Sequence, residues 1–556
     1  MAVLYLCTAA AAAALDDGLS RVTGGNLAGS LDDGLLLSPL IARGELASAR
    51  ERSRVTGGNL TGYAGYIASS DDDLDQIFFW LHEARAPVKE TCVPLILWLQ
   101  GGPGVSGQVG SFNEMGPQYV VNGSSPGSSP SSHNRTATWN EKYAMVFIDQ
   151  PVETGFSFTK TQPKRYTLTS DAAAKALYTV LVQFFKLYRE YKCSPFYVMG
   201  ESYGGHYVPH TSWWIHAMNA VAPASDFINL KGLAIGNPDL DMAAQMPPIA
   251  DMLYNVGIVD AKEREFTRQL HAEVVALQRT NPVKSFELWN SYWGDCCPCP
   301  GCPNGSYTFK TLTGSASRVL LFCRPSRFAC RAIERRTALT CTLLSAPTPR
   351  TAQCTAPHFP DDDPLDMRTT AMVGSWSLVA DFMNSSAVRR ALHARPGRAW
   401  VEQNNAVYMA MSNSGDAQNA SAPLLPLLMA HYDVLLYAGQ MDATLGPISL
   451  AAAVDKVMTM EGAAQWAPAW AAAPKRTWRV TDFAAEKLAQ LSLMGAEEAD
   501  LCGAVHDVAG YAHSVATSAS TNFTVATVLN AGHLAPGNQP VSALDMVTRF
   551  IERRPF

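Results

Sequence analysis

A short apolar segment, a glycine-flanked turn and a helical segment follow one another directly, and this run restricts the fold more than any other part of the chain. Residues 195–199 have the pattern of a short buried strand, and Gly200-Glu201-Ser202-Tyr203-Gly204 follows them. A helix is predicted from there through Ile215. The glycines leave room for a sharp turn, so the side chain of Ser202 is expected to project above the end of a strand.

Apolar runs bounded by turn residues recur along the chain and alternate with helical segments. The best-defined helix has an apolar stripe at i, i+3, i+4 and i+7, from Leu177 to Tyr188. The strand-like runs are residues 77–81, 93–99, 143–149, 196–199, 434–438 and 524–529. This alternation predicts an α/β fold with a mostly parallel central sheet and helices on both faces.

The 556 residues are 47% hydrophobic, enough for one enlarged domain or for two. Residues 1–15 are predicted to be a signal peptide. Residues 16–62 are predicted to be a partly disordered leader with duplicated segments, and Ser-Arg-Val-Thr-Gly-Gly-Asn-Leu occurs in it at Ser20 and again at Ser53. Residues 63–245 and 431–556 form the two parts of the core. Between them, 246–430 is predicted to be an inserted cap that carries eight cysteines.

A serine hydroxyl is a weak nucleophile until a histidine accepts its proton and a carboxylate orients that histidine. In an open α/β sheet such groups lie beyond the carboxyl ends of the strands. Asp442 follows the strand-like run 434–438, and His533 follows the run 524–529. Ser202, Asp442 and His533 are therefore the predicted catalytic residues.

Other candidates fit this rule less well. Asp433 precedes its strand, and neither His506 nor His513 follows one. The simpler alternatives for the three chosen residues are an ordinary turn serine, an aspartate that caps a turn and a loop histidine with a structural partner.

A glycine-rich loop, Gln100-Gly101-Gly102-Pro103-Gly104, comes directly after the predicted strand that ends at Leu99. Acyl transfer requires backbone N–H groups directed at the oxygen that becomes negative. The predicted oxyanion hole consists of the N–H groups of Gly102 and Tyr203.

Three blocks of sequence, around this glycine loop, Ser202 and His533, resemble the signature blocks of the serine carboxypeptidase family. The similarity extends over residues 36–550, and Gln100 together with Tyr437-Ala438-Gly439-Gln440 looks most like the vitellogenic-carboxypeptidase branch. The resemblance implies an α/β-hydrolase fold and a serine-type acyl-enzyme mechanism that requires no metal and no cofactor.

The resemblance also implies that Gln100, the N–H of Gly101, Glu114 and Glu201 hold the C-terminal carboxylate of a peptide. The alternative for the two glutamates is a purely structural hydrogen-bonding role. Two departures from the family pattern stand out. Val105 replaces a cysteine, so a family disulfide at this loop is absent, and Glu153 stands where a glycine is usual, which makes the local turn uncertain.

The function expected from the sequence is hydrolysis of the C-terminal peptide bond of peptides that have a free C-terminus. Up to three carboxylates would share one site, and because they cannot all be ionised cheaply, activity is expected to be favoured at acidic pH. The alternatives are an esterase or acyltransferase of the same fold, and a non-catalytic protective partner of other lysosomal enzymes.

The formal net charge of −6 and the absence of a long Lys/Arg run exclude an electrostatic surface for nucleic acid. Twelve cysteines and seven Asn-x-Ser/Thr sequons favour the secretory pathway, with a lysosomal or extracellular destination. No segment is predicted to cross a membrane, and a homodimer is left open. The cysteines of residues 296–302 favour disulfides over a zinc site, but their connectivity is not given by the sequence.

Overall fold

The computed structural model describes residues 35–57, 59–86, 92–123, 129–293, 375–480 and 508–556. The predicted signal peptide, the first copy of the duplicated segment and the eight cysteines of the predicted cap lie outside these residues, as does His506. The part of the chain that is described contains no helix both long and apolar enough to cross a membrane.

The strands of the described residues are β1 Tyr63–Ala68, β2 Asp75–His82, β3 Leu95–Leu99, β4 Gln118–Val121, β5 Ser131–Asn134, β6 Ala144–Asp149, β7 Phe158–Thr159, β8 Phe196–Glu201, β9 Leu230–Gly236, β10 Asp433–Gly439, β11 Arg476–Arg479, β12 Val508–Ala516 and β13 Asn522–Val528. Eleven of them form the central sheet, with the strand order β1-β2-β6-β3-β8-β9-β10-β13-β12-β11 and with β7 paired to β2. The six strands from β6 to β13 in this order are parallel, and the strands at both edges are antiparallel. A small separate sheet contains β4 and β5.

Helices connect the strands and cover the sheet. Those in the described ranges are α1 Ser38–Ala42, α2 Leu46–Ser53, α3 Gly107–Asn113, α4 Ser170–Leu187, α5 Gly204–Asn219, α6 Met242–Gln245, α7 Ile249–Asn255, α8 Ala261–Leu277, α9 Pro282–Trp293, α10 Ser375–Asn384, α11 Ser386–Ala391, α12 Asn405–Asn413, α13 Leu425–His431, α14 Pro447–Val457, α15 Ala467–Ala472, α16 Ala535–Asn538 and α17 Pro540–Ile551.

Strand β3 shows why the central strands have continuous apolar runs. Leu97 packs into a cluster that contains α4, whereas its neighbour Trp98 packs into a second cluster that contains α17. Both faces of the parallel strands are thus covered, which leaves no position for an alternating polar face. The predicted α/β fold with a mostly parallel sheet is confirmed.

The second half of the predicted leader differs from expectation. Helices α1 and α2 pack on the core, with Leu37 and Leu40 buried. The backbone N–H of Leu37 donates to the carbonyl of Tyr66 at 3.0 Å, and the hydroxyl of Ser53 lies 2.8 Å from that of Tyr188. Apolar residues at helical spacing make residues 35–57 and 59–62 part of the globular fold, although their glycine and aspartate content is typical of a loose segment.

The second half of the predicted cap also contacts the core. Phe382, Leu392 and Trp400 belong to the same apolar cluster as Tyr66 and Trp80 of β1 and β2. Residues 382–400 of the predicted cap therefore pack against the edge of the sheet.

Glu153 keeps the turn that a glycine would allow. Its φ of +74° lies in the left-handed region, and its buried carboxylate pairs with Arg398 and Lys164, each at 2.6 Å. Arg398 also donates to the carbonyl of Glu153 at 2.6 Å. The two ion pairs and the hydrogen bond to the backbone thus stabilise a conformation that is unfavourable for a residue with a side chain.

Candidate active site

The strand, sharp turn and helix around Ser202 are present where the sequence predicted them. Ser202 follows the last residue of β8 and has φ of +58°, a left-handed conformation that is strained for serine. Its N–H donates to Gly236 at 3.0 Å, and its carbonyl accepts from Gly205 at 2.8 Å and from Asp239 at 3.0 Å. Backbone contacts on both sides hold the strained turn, as is typical of a strand-turn-helix nucleophile.

The glycine loop lies directly against this turn. A Cβ atom at Gly101 would lie 2.7 Å from the Cβ of Ser202 and 2.7 Å from the backbone nitrogen of Tyr203. Only glycine permits this approach, since a side chain would overlap with the backbone. The next residue, Gly102, has φ of +109°, a conformation that favours glycine, and its N–H and that of Tyr203 are the two proposed oxyanion donors.

Asp442 and His533 are brought together from two loops that follow adjacent parallel strands, β10 and β13. Nδ1 of His533 lies 2.7 Å from Oδ2 of Asp442, and both side chains are buried. Oδ1 of Asp442 accepts the N–H groups of Thr444 at 2.8 Å and Leu445 at 3.2 Å. With Nδ1 donating to the carboxylate, Nε2 is the ring nitrogen that would act as the base in a catalytic triad.

Asn237 is a further residue of this network that the sequence analysis missed. Its amide nitrogen donates to Oδ2 of Asp442 at 2.6 Å, and its amide oxygen accepts from the N–H of Gly439 at 3.2 Å. Asn237 directly follows β9, so the rule that selected Asp442 and His533 could also have selected it. The motif Asn229-Leu230-Lys231-Gly232 lies at the start of that strand, whereas Asn237 follows its end.

Gln100, Glu114 and Glu201 form a compact buried group beside the turn. The Gln100 amide nitrogen donates to Oε1 of Glu201 at 2.6 Å and to Oε1 of Glu114 at 3.2 Å. The Gln100 amide oxygen accepts from the indole N–H of Trp98 at 2.7 Å, which determines which end of the amide faces the acids. The structure therefore brings together both glutamates that the resemblance implied, one amide away from each other and next to Ser202.

Tyr437 of β10 lies close to the same two acids. Burial raises the pKa of Tyr437 well above its usual range, and the charges of Glu201 and Glu114 raise it further. Its ring packs against Gly236, where a Cβ would lie 2.6 Å from the hydroxyl oxygen. Within the described residues this hydroxyl is buried without a hydrogen-bond partner. A buried phenol O–H of this kind is a donor that a ligand could use.

The alternative residues lie elsewhere. Asp433, at the start of β10, pairs with Arg553 at 2.6 Å. His513 stacks on Trp470 with ring centroids 3.8 Å apart. Neither therefore belongs to the group around Ser202. The described residues include no cluster of metal-binding side chains, while residues 296–302 lie outside them.

The chain matches one protein family over nearly its whole length. Residues 55–553 match the serine carboxypeptidase family. Probable serine carboxypeptidase CPVL of Homo sapiens is 30% identical over 522 residues, which cover 93% of this chain and 89% of the relative. Venom serine carboxypeptidase of Apis mellifera is 28% identical, and the match covers 94% of this chain and 91% of the bee protein. Vitellogenic carboxypeptidase of Aedes aegypti is 25% identical, with 94% and 91% covered.

Comparison with solved structures gives the same fold. A prohormone-processing carboxypeptidase from Saccharomyces cerevisiae superimposes with a TM-score of 0.60 at 20% identity, covering 88% of this chain and 91% of the yeast chain. At this identity the likeness concerns the fold and not the specificity.

Proposed function

The chain belongs to the serine carboxypeptidase family, and we propose that it removes the C-terminal residue from peptides through Ser202, His533 and Asp442. The observation that carries this proposal is the buried group in which one amide, Gln100, bonds to Glu114 and Glu201 beside the nucleophile turn. An esterase or acyltransferase of the same fold has no need for two acids at this place.

In the proposed reaction, Nε2 of His533 accepts the hydroxyl proton of Ser202 while Oγ forms a bond to the last peptide carbonyl carbon. The negative carbonyl oxygen is stabilised by the N–H groups of Gly102 and Tyr203. The C–N bond then breaks, and the leaving amine takes the proton from His533. In the second half of the reaction, water gives a proton to His533 and attacks the acyl carbon. The bond from that carbon to Oγ then breaks, and Ser202 regains its proton from His533.

The proposed role of the two glutamates follows from their charge. A peptide carboxylate that enters this site adds a third acid to Glu114 and Glu201, and three ionised acids at close range would repel one another strongly. Protonated glutamates can instead donate to the substrate carboxylate, with Gln100 keeping them in position. Binding of a free C-terminus should therefore weaken as pH rises and the shared protons leave.

The test is KM as a function of pH for matched peptides that end in a free acid or in an amide. We expect KM for the acid to rise by up to about tenfold per pH unit where one proton is lost, while KM for the amide stays level. The double variant Glu114→Gln with Glu201→Gln should flatten the acid curve, because neutral amides do not titrate.

The matched control is Glu461→Gln, which removes an exposed carboxylate away from the site. It should leave the acid curve unchanged. A wild-type KM for free acids that is constant from acidic to neutral pH would contradict the proposed role of the pair, and equal hydrolysis of acid and amide would contradict carboxypeptidase action itself.

We also propose passage through the secretory pathway, supported by the positions of the sequons. Among the six sequon asparagines in the described residues, five are exposed: Asn59, Asn122, Asn134, Asn419 and Asn522. The sixth, Asn384, uses its amide internally, donating to Ala380 and Trp400 at 2.9 Å each. Glycopeptide mass spectrometry of protein from a secreting cell should find sugars at exposed sequons and none at Asn384. Unmodified asparagines throughout would contradict this route.

A further inference from the structure

A pocket begins at the catalytic turn and continues between the core and the helices that follow β9. One end is formed by Gly102, Pro103 and Tyr203, the residues of the proposed oxyanion hole and its loop. The remaining lining residues in the described part of the chain are mostly apolar or aromatic, among them Met242, Met246 and Trp289, and Asp239 is the single charged member.

The side chain that enters this pocket can be assigned from the proposed function, on which this inference rests. The C-terminal residue of the substrate lies against Gln100, Glu114 and Glu201, and none of these three lines the pocket. The residue that supplies the attacked carbonyl lies beside Gly102 and Tyr203, which do line it. Its side chain, the one immediately before the cleaved bond, is therefore the occupant.

Asp239 is the charged member of the lining. Its backbone N–H donates to the carbonyl of Ser202 at 3.0 Å, so its position relative to the nucleophile is tightly defined. Its side chain is 15% exposed, and Oδ1 has no hydrogen-bond partner within the described residues. Nε2 of His206 lies 3.6 Å from this Oδ1, which is too long for a hydrogen bond but close enough for a strong charge interaction when the ring is protonated.

His206 lies behind the pocket wall and is not part of the catalytic triad. Its ring stacks on that of Tyr203, with centroids 4.4 Å apart and planes 19° apart, and its side chain is 2% exposed. The hydroxyl of Tyr203 donates to Asp416 at 2.6 Å, which fixes the stacked pair against the core. A buried imidazole thus faces the one carboxylate of the pocket.

Several charged groups surround this imidazole. Burial alone would lower the pKa of His206, but Asp239, and beyond it Asp416 and Asp241, raise the pKa overall. The pKa of the neighbouring His210 is lowered by burial and, to a smaller extent, by the charge of His206. Asp416 accepts bonds from Ser170 and Tyr203, and Asp241 pairs with Lys456. Asp239 is the acid of this group whose charge reaches the pocket.

We propose that Asp239 and His206 together set the charge of this pocket, so that it accepts a cationic Lys or Arg side chain when His206 is neutral and an uncharged apolar one when His206 is protonated. The aliphatic stem of either side chain would contact Met242, Met246 and Trp289, and only the head group would meet Asp239. Protonated His206 cancels the charge of Asp239, whereas neutral His206 leaves it uncompensated. Substrate preference before the cleaved bond therefore changes with pH.

The experiment compares two N-terminally blocked peptides with the same C-terminal residue, one with lysine and one with norleucine before the cleaved bond. Lysine stays charged throughout, since its ordinary pKa is about 10.4. Titration of His533 or of the glutamates affects both peptides alike and cancels in the ratio of their kcat/KM values. Because the pKa of His206 is raised above the ordinary histidine value of about 6.5, the measurement extends from pH 5 to about pH 8.5, and we expect the lysine-to-norleucine ratio of the wild type to increase about tenfold over this range.

Two variants locate the effect. Asp239→Asn should give a low ratio that no longer depends on pH, and His206→Gln should give a high ratio already at acidic pH. Asp455→Asn, which removes an exposed aspartate outside the pocket, should behave as the wild type. Thermal unfolding checks that each variant is folded. If His206→Gln does not fold, the lysine-to-norleucine ratios of the wild type and of Asp239→Asn still test the proposal.

A wild-type ratio that is independent of pH would overturn the inference, as would a pH-dependent ratio that survives Asp239→Asn. If the free acids are cleaved but the ratio does not change, the pocket assignment fails while carboxypeptidase action stands. If amidated versions of both peptides are cleaved as fast as the acids, it is the proposed function that fails.

Discussion

The carboxylate of Asp442 and the pair Glu114 and Glu201 are all buried in the candidate active site, yet their surroundings differ. Asp442 accepts hydrogen bonds from an amide, from two backbone N–H groups and from His533. Glu114 and Glu201 both accept from the amide nitrogen of Gln100, which holds the two acids close together. Two carboxylates at close range repel each other when both are charged, and they gain from holding a proton between them. In the proposed mechanism, the first arrangement suits an acid that orients a base and the second suits acids that receive an anion.

Removal of the proposed catalytic groups should have the largest effect on activity. Ser202→Ala and His533→Ala should each lower kcat on the order of 10⁶-fold, because the residues act as one unit. Asp442→Asn should cost on the order of 10⁴-fold, since the asparagine still orients the ring but favours the wrong tautomer. The measurement is kcat with a free-acid peptide.

His513→Ala is the matched control, because this histidine stacks on Trp470 and should leave kcat unchanged. A fluorophosphonate probe should label the wild type and not Ser202→Ala. A folded wild type that is neither labelled nor active would favour the non-catalytic partner protein.

Asp149 provides a fourth buried carboxyl for the comparison, one that has no proposed catalytic role. Burial raises the pKa of Asp149 to about 6, although the hydroxyl of Ser106 at 2.5 Å and the N–H of Phe156 at 2.8 Å act against this. The folded state therefore binds the proton more tightly than the unfolded state. Its contribution to stability is full below about pH 4 and is lost as pH rises through about 6.

The expected loss is about 3 kcal/mol, from a pKa shift of about two units. Asp149→Asn should remove this part of the slope, since an amide does not titrate. Free energies of unfolding by denaturant at pH 4 and pH 7 measure it. Equal pH dependence of the wild type and the variant would show that Asp149 does not retain its proton.

The smallest effect concerns the acid pair. Tyr437→Phe removes the buried hydroxyl beside Glu114 and Glu201 and should raise KM for free-acid peptides by about tenfold, the lower end of the value of one hydrogen bond to a charged group. Because the phenyl ring keeps its packing on Gly236, kcat and the KM of peptide amides should change little. An equal increase in KM for acids and amides would assign Tyr437 a structural role only.

Much of this arrangement was determined by local sequence. The order of strand, glycine turn and helix identified Ser202 because each of these elements is specified by its own residues. Asp442 and His533 could be chosen because parallel strands place their carboxyl ends at one edge of a sheet. The same rule explains why Asp433 was rejected, since it lies at the opposite end of its strand.

Tertiary structure decided what depends on contacts between distant segments. Asn237 lies 205 positions from Asp442, and nothing in the local pattern of either residue indicates their hydrogen bond. Helices α1 and α2 were expected to be a loose leader, but buried contacts with the sheet outweigh their unfavourable composition. Cys92 and Cys193 form a disulfide across 101 positions that spacing alone did not reveal. Local patterns specify an element and its ends, because they depend on neighbouring residues, whereas burial and pairing depend on which surfaces the fold brings together.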